Sequence, residues 1–202
     1  MGADKLWAEL VGQPVLARTL RAVAAARSIG CVVVVARPDT LARVQELLAG
    51  LALPAEACAG GARRQDSVRA GLELVDAPLV VVHDGARPLV DPAMIDEGVR
   101  IAADRGAAVA AIPCVDTIKR ADPDGRVVDT PNRGELWTIQ TPQCFRVDLL
   151  RRAHATVTAD VTDDAAMVEA LGEPVWLYPG SRRNLKITTP EDLLVAEALL
   201  RG

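Results

Sequence analysis

The hydrophobic positions of this chain fall into segments that alternate between helical and extended spacing. Leu16, Leu20 and Val23 recur on one helical face, which predicts a helix over about residues 14–28. Cys31–Ala36 follows as a continuous apolar run rich in β-branched residues, typical of a strand that is buried on both faces. The first fifty residues therefore already predict helices packed against a largely parallel sheet.

The same alternation continues to the end of the chain. Further helices are predicted at about 39–50, 65–75, 92–105, 147–157, 163–171 and 190–201, and further strands at about 55–58, 79–83, 107–113 and 174–179. The sequence Asp122-Pro-Asp-Gly125 has the chemistry of a tight turn, so residues of about 114–140 are interpreted as a projecting β-hairpin arm. We expect one domain: a three-layer, doubly wound α/β fold with a mostly parallel sheet.

The start of the chain departs from this scheme. A doubly wound domain usually opens with a buried strand that leads into a ligand-binding loop, whereas Met1 is followed directly by a predicted loop and helix. We expect either that the sheet lacks its usual first strand or that Met1 is an internal residue of a longer chain.

Composition and charge exclude several classes of protein. The chain has 202 residues, of which 50% are hydrophobic and 2% aromatic, so Ala, Val and Leu must build the core. Its apolar runs are much shorter than the roughly 18–20 residues that span a bilayer, and no export signal opens it, so we expect no membrane association and a cytoplasmic protein. A net charge of −4 argues against nucleic-acid binding. The spacing of the four cysteines favours buried thiols over a disulfide or metal site.

Two segments carry candidate binding chemistry. The stretch from Gly60 to Val68, GGARRQDSV, places a glycine pair and two arginines at a predicted helix start, with Asp66 or Ser67 as its cap. It either binds an anion or a nucleobase, or simply caps the helix. The segment HDGARP begins at His83, at the carboxyl end of a strand, where Asp84 is a candidate Mg²⁺ ligand and Arg87 a phosphate-binding group or a structural ion-pair partner. We interpret His83 itself as structural.

Two further segments carry cationic and hydroxyl groups. The arm contains DTIKR at 116–120 and Arg133, which either keep an edge soluble or reach a phosphorylated substrate. Lys186 lies between apolar residues on an extended segment, just before a helix capped by Thr188 or Thr189. Such a lysine is expected to face an anion.

Together these segments resemble the 2-C-methyl-D-erythritol 4-phosphate cytidylyltransferase family of the non-mevalonate isoprenoid pathway. The resemblance covers nearly the whole chain and rests on ordered blocks: GGARRQDSV, VHDGARP, DTIKR, LWTIQTPQ, TDDA and NLKITTPEDL. It implies a nucleotidyltransferase-type fold, CTP and methylerythritol phosphate as substrates, Mg²⁺ as cofactor, and a homodimer in which the arm reaches the neighbouring subunit's site.

The resemblance also implies roles for individual residues. Lys5 corresponds to the lysine that stabilises the transition state, and Arg133 and Lys186 to the pair that positions the methylerythritol phosphate. Cytidine-side contacts are implied for Gly61, Arg64, Ser67 and Gly85, sugar-phosphate contacts for Arg87, Thr117 and Thr141, and magnesium binding for Asp84. Thr117 and Arg133 would act across the dimer interface.

The amino terminus departs from the family, which begins with a strand and a glycine-rich loop of the form A-A-G-x-G-x-R-M-G. Only Met1 and Gly2 match the end of that loop. Two alternatives therefore stay open beside the main interpretation: a cytidylyltransferase for another polyol phosphate, such as ribitol 5-phosphate, and a nucleotide-binding dimer that has lost turnover.

Overall fold

The structure, a computed structural model, describes residues 3–202, so the expectations concerning Met1 and Gly2 lie outside the described residues. The described helices are α1 (Val15–Ala24), α2 (Leu41–Leu48), α3 (Arg64–Leu72), α4 (Pro92–Arg105), α5 (Val147–Thr156), α6 (Asp164–Ala170) and α7 (Pro190–Arg201). The strands are β1 (Glu9–Leu10), β2 (Gln13–Pro14), β3 (Val32–Ala36), β4 (Ala55–Ala59), β5 (Leu79–Val82), β6 (Ala107–Pro113), β7 (Arg120–Ala121), β8 (Val127–Asp129), β9 (Trp137–Arg146) and β10 (Trp176–Pro179). No described helix is long and apolar enough to cross a membrane.

The main strands form two sheet segments. A four-stranded sheet has the order β10-β6-β9-β5, and β3 pairs with β4 in parallel. Strand β10 is parallel to β6, while β9 is antiparallel to both β6 and β5. All strands of the larger sheet except β9 therefore share one direction, and the expected mostly parallel α/β fold is confirmed.

Helices cover both faces of the four-stranded sheet. Val80 and Val82 pack on the side that carries Leu72 of α3 together with α5 and α6. Leu79 and Val81, which point the opposite way along the same strand, pack against α4. Because helices pack on both faces of the sheet, the fold has three layers with the sheet in the middle.

Strand β9 is the element that the hydrophobic pattern misses. We expected the arm to extend to about residue 140 and assigned no strand before α5, but Trp137–Arg146 is a ten-residue strand between β5 and β6. Its buried positions include Gln140, Thr141 and Gln143. Buried polar side chains interrupt the apolar alternation by which strands are recognised, and here they are satisfied by partners in the site described below.

A groove separates the two sheet segments. In the described part of the chain, β3 pairs only with β4 and β5 only with β9, so each strand turns its other edge towards the same cavity. The cavity has a volume of about 970 Å³ and is lined by the valines of β3 and β5 and by Leu16, Leu20 and Leu72 from the covering helices. One end of this apolar groove opens at the carboxyl end of β5, where the candidate site lies.

Candidate functional site

Two loops and a helix start converge on the open end of the groove. Gly60 and Gly61 follow β4, and Asp84 and Gly85 follow β5. All of these residues line the same cavity, together with Arg64 and Ser67 of α3. The structure thus brings together the two segments that the sequence singles out, at a position where doubly wound folds bind ligands.

Asp84 is the centre of a charged cluster. Its Oδ2 atom lies 3.2 Å from the ammonium nitrogen of Lys186 and 3.2 Å from Nε of Arg87. Arg87 is only 9% exposed, and it also donates through Nη1 to the carbonyl oxygen of Asn184 at 2.7 Å. Lys186 keeps 43% of its side chain exposed, so it is the cation of the cluster that is more open to a ligand.

Hydrogen bonds behind Asp84 fix the loop that carries it. The Asp84 backbone N–H donates to Oγ1 of Thr141 at 3.0 Å, and that oxygen lies 3.1 Å from Nδ1 of His83. Because His83 Nε2 faces the carbonyl oxygen of Arg87, which can only accept, the proton of the neutral ring lies on Nε2, and the Thr141 hydroxyl donates to Nδ1. His83 Nε2 lies 3.4 Å from the carbonyl oxygen of Arg87, which closes the loop on itself. The structural interpretation of His83 agrees with these contacts.

Burial and charge set the protonation of this loop. Desolvation by burial lowers the pKa of His83 to about 4, so its imidazole is neutral near pH 7. Burial alone raises the pKa of Asp84, but the positive charges of Lys186 and Arg87 outweigh it and the net pKa is lowered. Asp84 is therefore an ionised carboxylate beside two cations.

The glycine pair is held tightly against the start of α3. The Gly61 backbone N–H donates to Oγ of Ser67 at 3.2 Å, and the Ser67 hydroxyl donates to the carbonyl oxygen of Arg63 at 3.2 Å. A Cβ atom built on Gly61 would lie 2.4 Å from Cβ of Asp66, so only glycine fits this approach. The cap itself differs from the expectation. Arg63 is the N-cap, and Asp66 sits at the third helical position, where its carboxylate accepts from the Arg63 N–H at 3.3 Å.

Three of the expected site residues lie elsewhere. Lys5 is part of a short turn over Ala3–Leu6 and immediately precedes Leu6 and Trp7, which line the cavity. Thr117 and Arg133 are exposed on the arm, where Arg133 donates through Nη1 to the carbonyl oxygen of Val115 at 2.7 Å. Within residues 3–202, neither of these two arm residues lines the cavity.

Sequence reasoning missed two residues that shape the site. The Thr19 hydroxyl donates to the carbonyl oxygen of Gly85 at 2.8 Å and ties the Asp84 loop to α1. Asn184 is fully buried and donates to the carbonyl oxygen of Thr141 at 2.8 Å. Asn184 is the first residue of the block NLKITTPEDL. The signal available in the sequence was this polar residue, which stands directly before Leu185 and Lys186. Nothing in the sequence around Thr19 distinguishes it from a core-facing helical threonine.

The expected metal site consists of a single carboxylate. Among the described residues, no group of three or more His, Cys, Asp and Glu side chains is placed to hold a metal ion. A divalent cation bound through one protein carboxylate needs further oxygen ligands, which the phosphates of a substrate and water commonly supply. The ionised Asp84 thus fits Mg²⁺ bound together with a phosphorylated substrate.

Comparison with known proteins places this geometry in context. A sequence model of the 2-C-methyl-D-erythritol 4-phosphate cytidylyltransferase family matches residues 1–202. A protein of that name from Dehalococcoides mccartyi is 45% identical over 203 residues, which cover 99% of this chain and 89% of the relative. Another, from Prochlorococcus marinus, is 46% identical over 207 residues, covering 99% of this chain and 92% of the relative.

Two solved structures share the fold of this chain. The 4-diphosphocytidyl-2C-methyl-D-erythritol synthase of Anaerococcus prevotii superposes with a TM-score of 0.92 at 30% identity, covering 99% of this chain and 94% of that protein. The 2-C-methyl-D-erythritol 4-phosphate cytidylyltransferase of Thermus thermophilus gives a TM-score of 0.82 at 36% identity, covering 100% of this chain and 96% of that protein.

Proposed function

The chain belongs to the 2-C-methyl-D-erythritol 4-phosphate cytidylyltransferase family, and from this premise we propose how its residues carry out the reaction. It is a transferase of isoprenoid biosynthesis that uses CTP to cytidylylate 2-C-methyl-D-erythritol 4-phosphate. The alternative acceptor, another polyol phosphate, is not favoured, because the relatives compared above carry the methylerythritol name.

The nucleotide side of the site is formed by the glycine pair, the start of α3 and Gly85. Arg64 offers a guanidinium to the cavity, while Gly61 and Gly85, which have no side chain, let a ligand approach the backbone closely. Such groups suit the base, ribose and phosphates of CTP, and Ser67 holds the loop in place through Gly61.

The reaction needs charge stabilisation more than proton transfer. An oxygen of the methylerythritol phosphate attacks the α-phosphorus of CTP, a new P–O bond forms, and the bond to the oxygen that bridges to the β-phosphate breaks, so its electron pair leaves with pyrophosphate. A phosphate monoester is largely ionised near neutral pH, so no base has to activate it. Fixed cations that offset the repulsion between anions supply the catalysis, as in other phosphoryl transfers.

Lysine and arginine side chains supply these cations. Lys186, held beside Asp84 and half-exposed, binds the acceptor phosphate together with Arg133, and Lys5 stabilises charge that develops on the α-phosphate. Thr141 and Arg87 contribute differently. Both are largely buried, and both contact Asp84: Thr141 accepts from its backbone N–H, and Arg87 pairs with its carboxylate. We therefore propose that they act on the sugar phosphate by holding the Asp84 loop in shape. The observation that carries the proposal is the Asp84–Lys186–Arg87 cluster at the mouth of a cavity that also holds Arg64.

Mg²⁺ is the proposed cofactor, with Asp84 as its protein ligand and CTP phosphates and water completing its coordination. A cation held by Asp84 would supply positive charge that offsets the charge of the phosphates and of the leaving pyrophosphate. Lys186 and Arg87, which pair with Asp84 in the ligand-free protein, keep the carboxylate ionised and oriented.

A homodimer is proposed through the arm. The arm hairpin, β7 and β8, is a two-stranded structure of the kind that is marginal in isolation. Large apolar side chains of the arm and its return strand are exposed: Val115, Ile118, Val127, Val128, Trp137 and Ile139. An apolar surface of this kind favours a protein partner, and a second copy of the chain would place Thr117 and Arg133 at the neighbouring site.

We also propose a cytoplasmic location, where CTP is available and cysteines, which are free here, stay reduced.

Pyrophosphate release tests this function. We expect release only when CTP, methylerythritol 4-phosphate and Mg²⁺ are all present. Release that is equally fast without the acceptor would identify a pyrophosphohydrolase and contradict the transfer. Absence of release despite CTP binding by calorimetry would support the non-catalytic nucleotide-binding alternative.

A further inference from the structure

The motif TDDA has so far no role in the site, and the structure shows what it contacts. Asp163 is the N-cap of α6, and Asp164 is the first residue of that helix. Asp164 has a fully buried side chain, and its Oδ2 atom lies 2.6 Å from Nη2 of Arg64, the expected CTP ligand at the start of α3. The two residues are a hundred positions apart in the chain, so the tertiary fold alone joins them.

The second oxygen of Asp164 is also occupied. Nε2 of His154, on α5, lies 3.2 Å from Oδ1 of Asp164, and the His154 side chain is 3% exposed. With one partner on each oxygen, the carboxylate cannot rotate without breaking a contact. A buried carboxylate that lost Arg64 would lose the permanent cation that offsets its desolvation, so the pair is strongly maintained.

Hydrogen bonds join the start of α6, which carries Asp164, to the central sheet. The side-chain amide of Gln143, on the central strand β9, donates to Oδ2 of Asp163 at 2.7 Å and accepts from the backbone N–H of Ala165 at 3.3 Å. The start of α6 is therefore anchored to the sheet. This explains why β9 buries a glutamine at a position where the hydrophobic pattern calls for an apolar side chain.

Among the described residues, Asp164 is the one hydrogen-bond and ion-pair partner of the Arg64 side chain. Its side chain is 38% exposed and the residue lines the cavity together with Gly61 and Ser67. An arginine has five N–H donors, and the contact with Asp164 uses a donor on Nη2 alone. The remaining donors are available to an anionic or carbonyl-bearing ligand in the cavity.

We propose that Asp164 is a positioning residue that fixes the guanidinium of Arg64 for CTP before the nucleotide binds, and that His154 locks the carboxylate in that orientation. This inference rests on the proposed nucleotide-binding role of Arg64. Fixing a long side chain in advance removes an entropy cost from binding, so the effect falls on nucleotide affinity more than on the chemical step.

Steady-state kinetics of Asp164→Asn test the proposal. We expect KM for CTP to rise about tenfold, with kcat changed less than threefold and KM for methylerythritol 4-phosphate unchanged. The matched control is Asp160→Asn, which removes an exposed carboxylate 3.1 Å from the neighbouring Arg63 and leaves Asp164 in place. An unchanged KM for CTP in Asp164→Asn, or an equal rise in the control, would overturn the proposal.

A double-mutant cycle separates positioning from general destabilisation. Arg64→Ala alone raises KM for CTP, and adding Asp164→Asn to it leaves that value unchanged if Asp164 acts through Arg64. Additive increases in KM would show that Asp164 acts by another route and would contradict the proposal.

A measurement on the unmodified protein covers the case in which Asp164→Asn does not fold. We expect NMR relaxation of the Arg64 Nε–H group without nucleotide to show an ordered guanidinium, in contrast to the exposed Arg182. Equal mobility of the two would refute prior positioning. If the protein fails to release pyrophosphate from CTP, the proposed function is wrong, whereas an active enzyme with a mobile Arg64 refutes only this inference.

Discussion

Lys186 and Asp84 show at the scale of single residues how the site balances its charges. The ammonium nitrogen of Lys186 lies 3.2 Å from Asp84 Oδ2, and the lysine follows Asn184, whose side chain is fully buried. The lysine thus lies two residues after a buried anchor, and its ammonium nitrogen lies beside Asp84, which lines the cavity.

Removal of this charge is expected to impair transfer. In Lys186→Met the apolar stem is retained and the cation is lost, so kcat/KM for methylerythritol 4-phosphate should fall by about 10² to 10³. The control is Arg100→Met, which removes an exposed cation from α4 that pairs with Glu97. Initial-rate measurements of pyrophosphate release check the difference, and a loss below threefold in Lys186→Met would contradict a role in the reaction.

His83 leads to a prediction about stability and pH. Burial lowers its pKa from 6.5 to about 4 in the folded protein, so between these values the unfolded chain binds the proton and the folded protein does not. The contribution of His83 to the free energy of unfolding is therefore constant above about pH 6.5. As the pH falls towards 4, the free energy of unfolding decreases by about 3 kcal/mol in total.

The test compares the wild type with His83→Asn by urea unfolding between pH 7 and 4. We expect the free energy of unfolding to fall more steeply with acidification in the wild type, by about 3 kcal/mol over the range. Asp84, whose pKa is also lowered, is present in both proteins and largely cancels in the difference. Parallel curves would show that His83 titrates alike in the folded and unfolded states.

The start of α3 shows how an element depends on one glycine. Gly61 approaches Asp66 so closely that an added Cβ would lie 2.4 Å from the Asp66 Cβ. We expect Gly61→Ala to displace the loop from α3, to raise the dissociation constant for CTP about tenfold and to destabilise the protein by about 1–3 kcal/mol.

Calorimetry with CTP and thermal unfolding check this expectation. Gly30→Ala is the matched control, because nothing lies within 4 Å of a Cβ placed there. Equal CTP affinity and equal stability of the two alanine variants would mean that the glycine pair has no structural role in the nucleotide site.

The elements differ in how well the sequence predicts them. α4 and β6 match their predicted bounds, since Pro92 begins the helix, Gly106 follows it, and an uninterrupted apolar run forms the strand. α1 ends at Ala24, earlier than the expected residue 28. The prediction ran too far because the alanine-rich stretch after Ala24 carries no stop signal in the sequence. β9 was missed because it buries Gln140 and Gln143, whose hydrogen-bond partners lie far away in the chain.

The same physical limit applies to the site. Asp84 and Arg64 were identified from local motifs, since Asp84 precedes a glycine after a strand and Arg64 stands at a helix start. Lys186 was identified as a lysine between two apolar residues. The pairing of Asp84 with Lys186, that of Arg64 with Asp164, and the contacts of Thr19 and Asn184 depend on tertiary packing and leave no periodic signal in the sequence. The groove between β3 and β5 is equally invisible there, because strand order is not written in any single segment.

At the scale of the whole molecule, the proposed dimer would make activity depend on assembly through the arm. Val128 is 53% exposed on β8, so Val128→Asp adds charge to the proposed subunit contact without disturbing a buried core. We expect the wild type to sediment as a dimer and Val128→Asp to dissociate, with a fall in activity because Thr117 and Arg133 leave the neighbouring site. Analytical ultracentrifugation decides between this arrangement and a monomer, and a fully active monomeric variant would refute the shared site.

The most direct measurement concerns the product. Phosphorus NMR of the protein incubated with Mg²⁺, CTP and either methylerythritol 4-phosphate or ribitol 5-phosphate distinguishes a new diphosphate diester from unreacted phosphates. We expect 4-diphosphocytidyl-2-C-methyl-D-erythritol and pyrophosphate to form in equal amounts with the first acceptor, and little product with the second. Preference for ribitol 5-phosphate, or pyrophosphate without the diester, would contradict the function assigned to this chain.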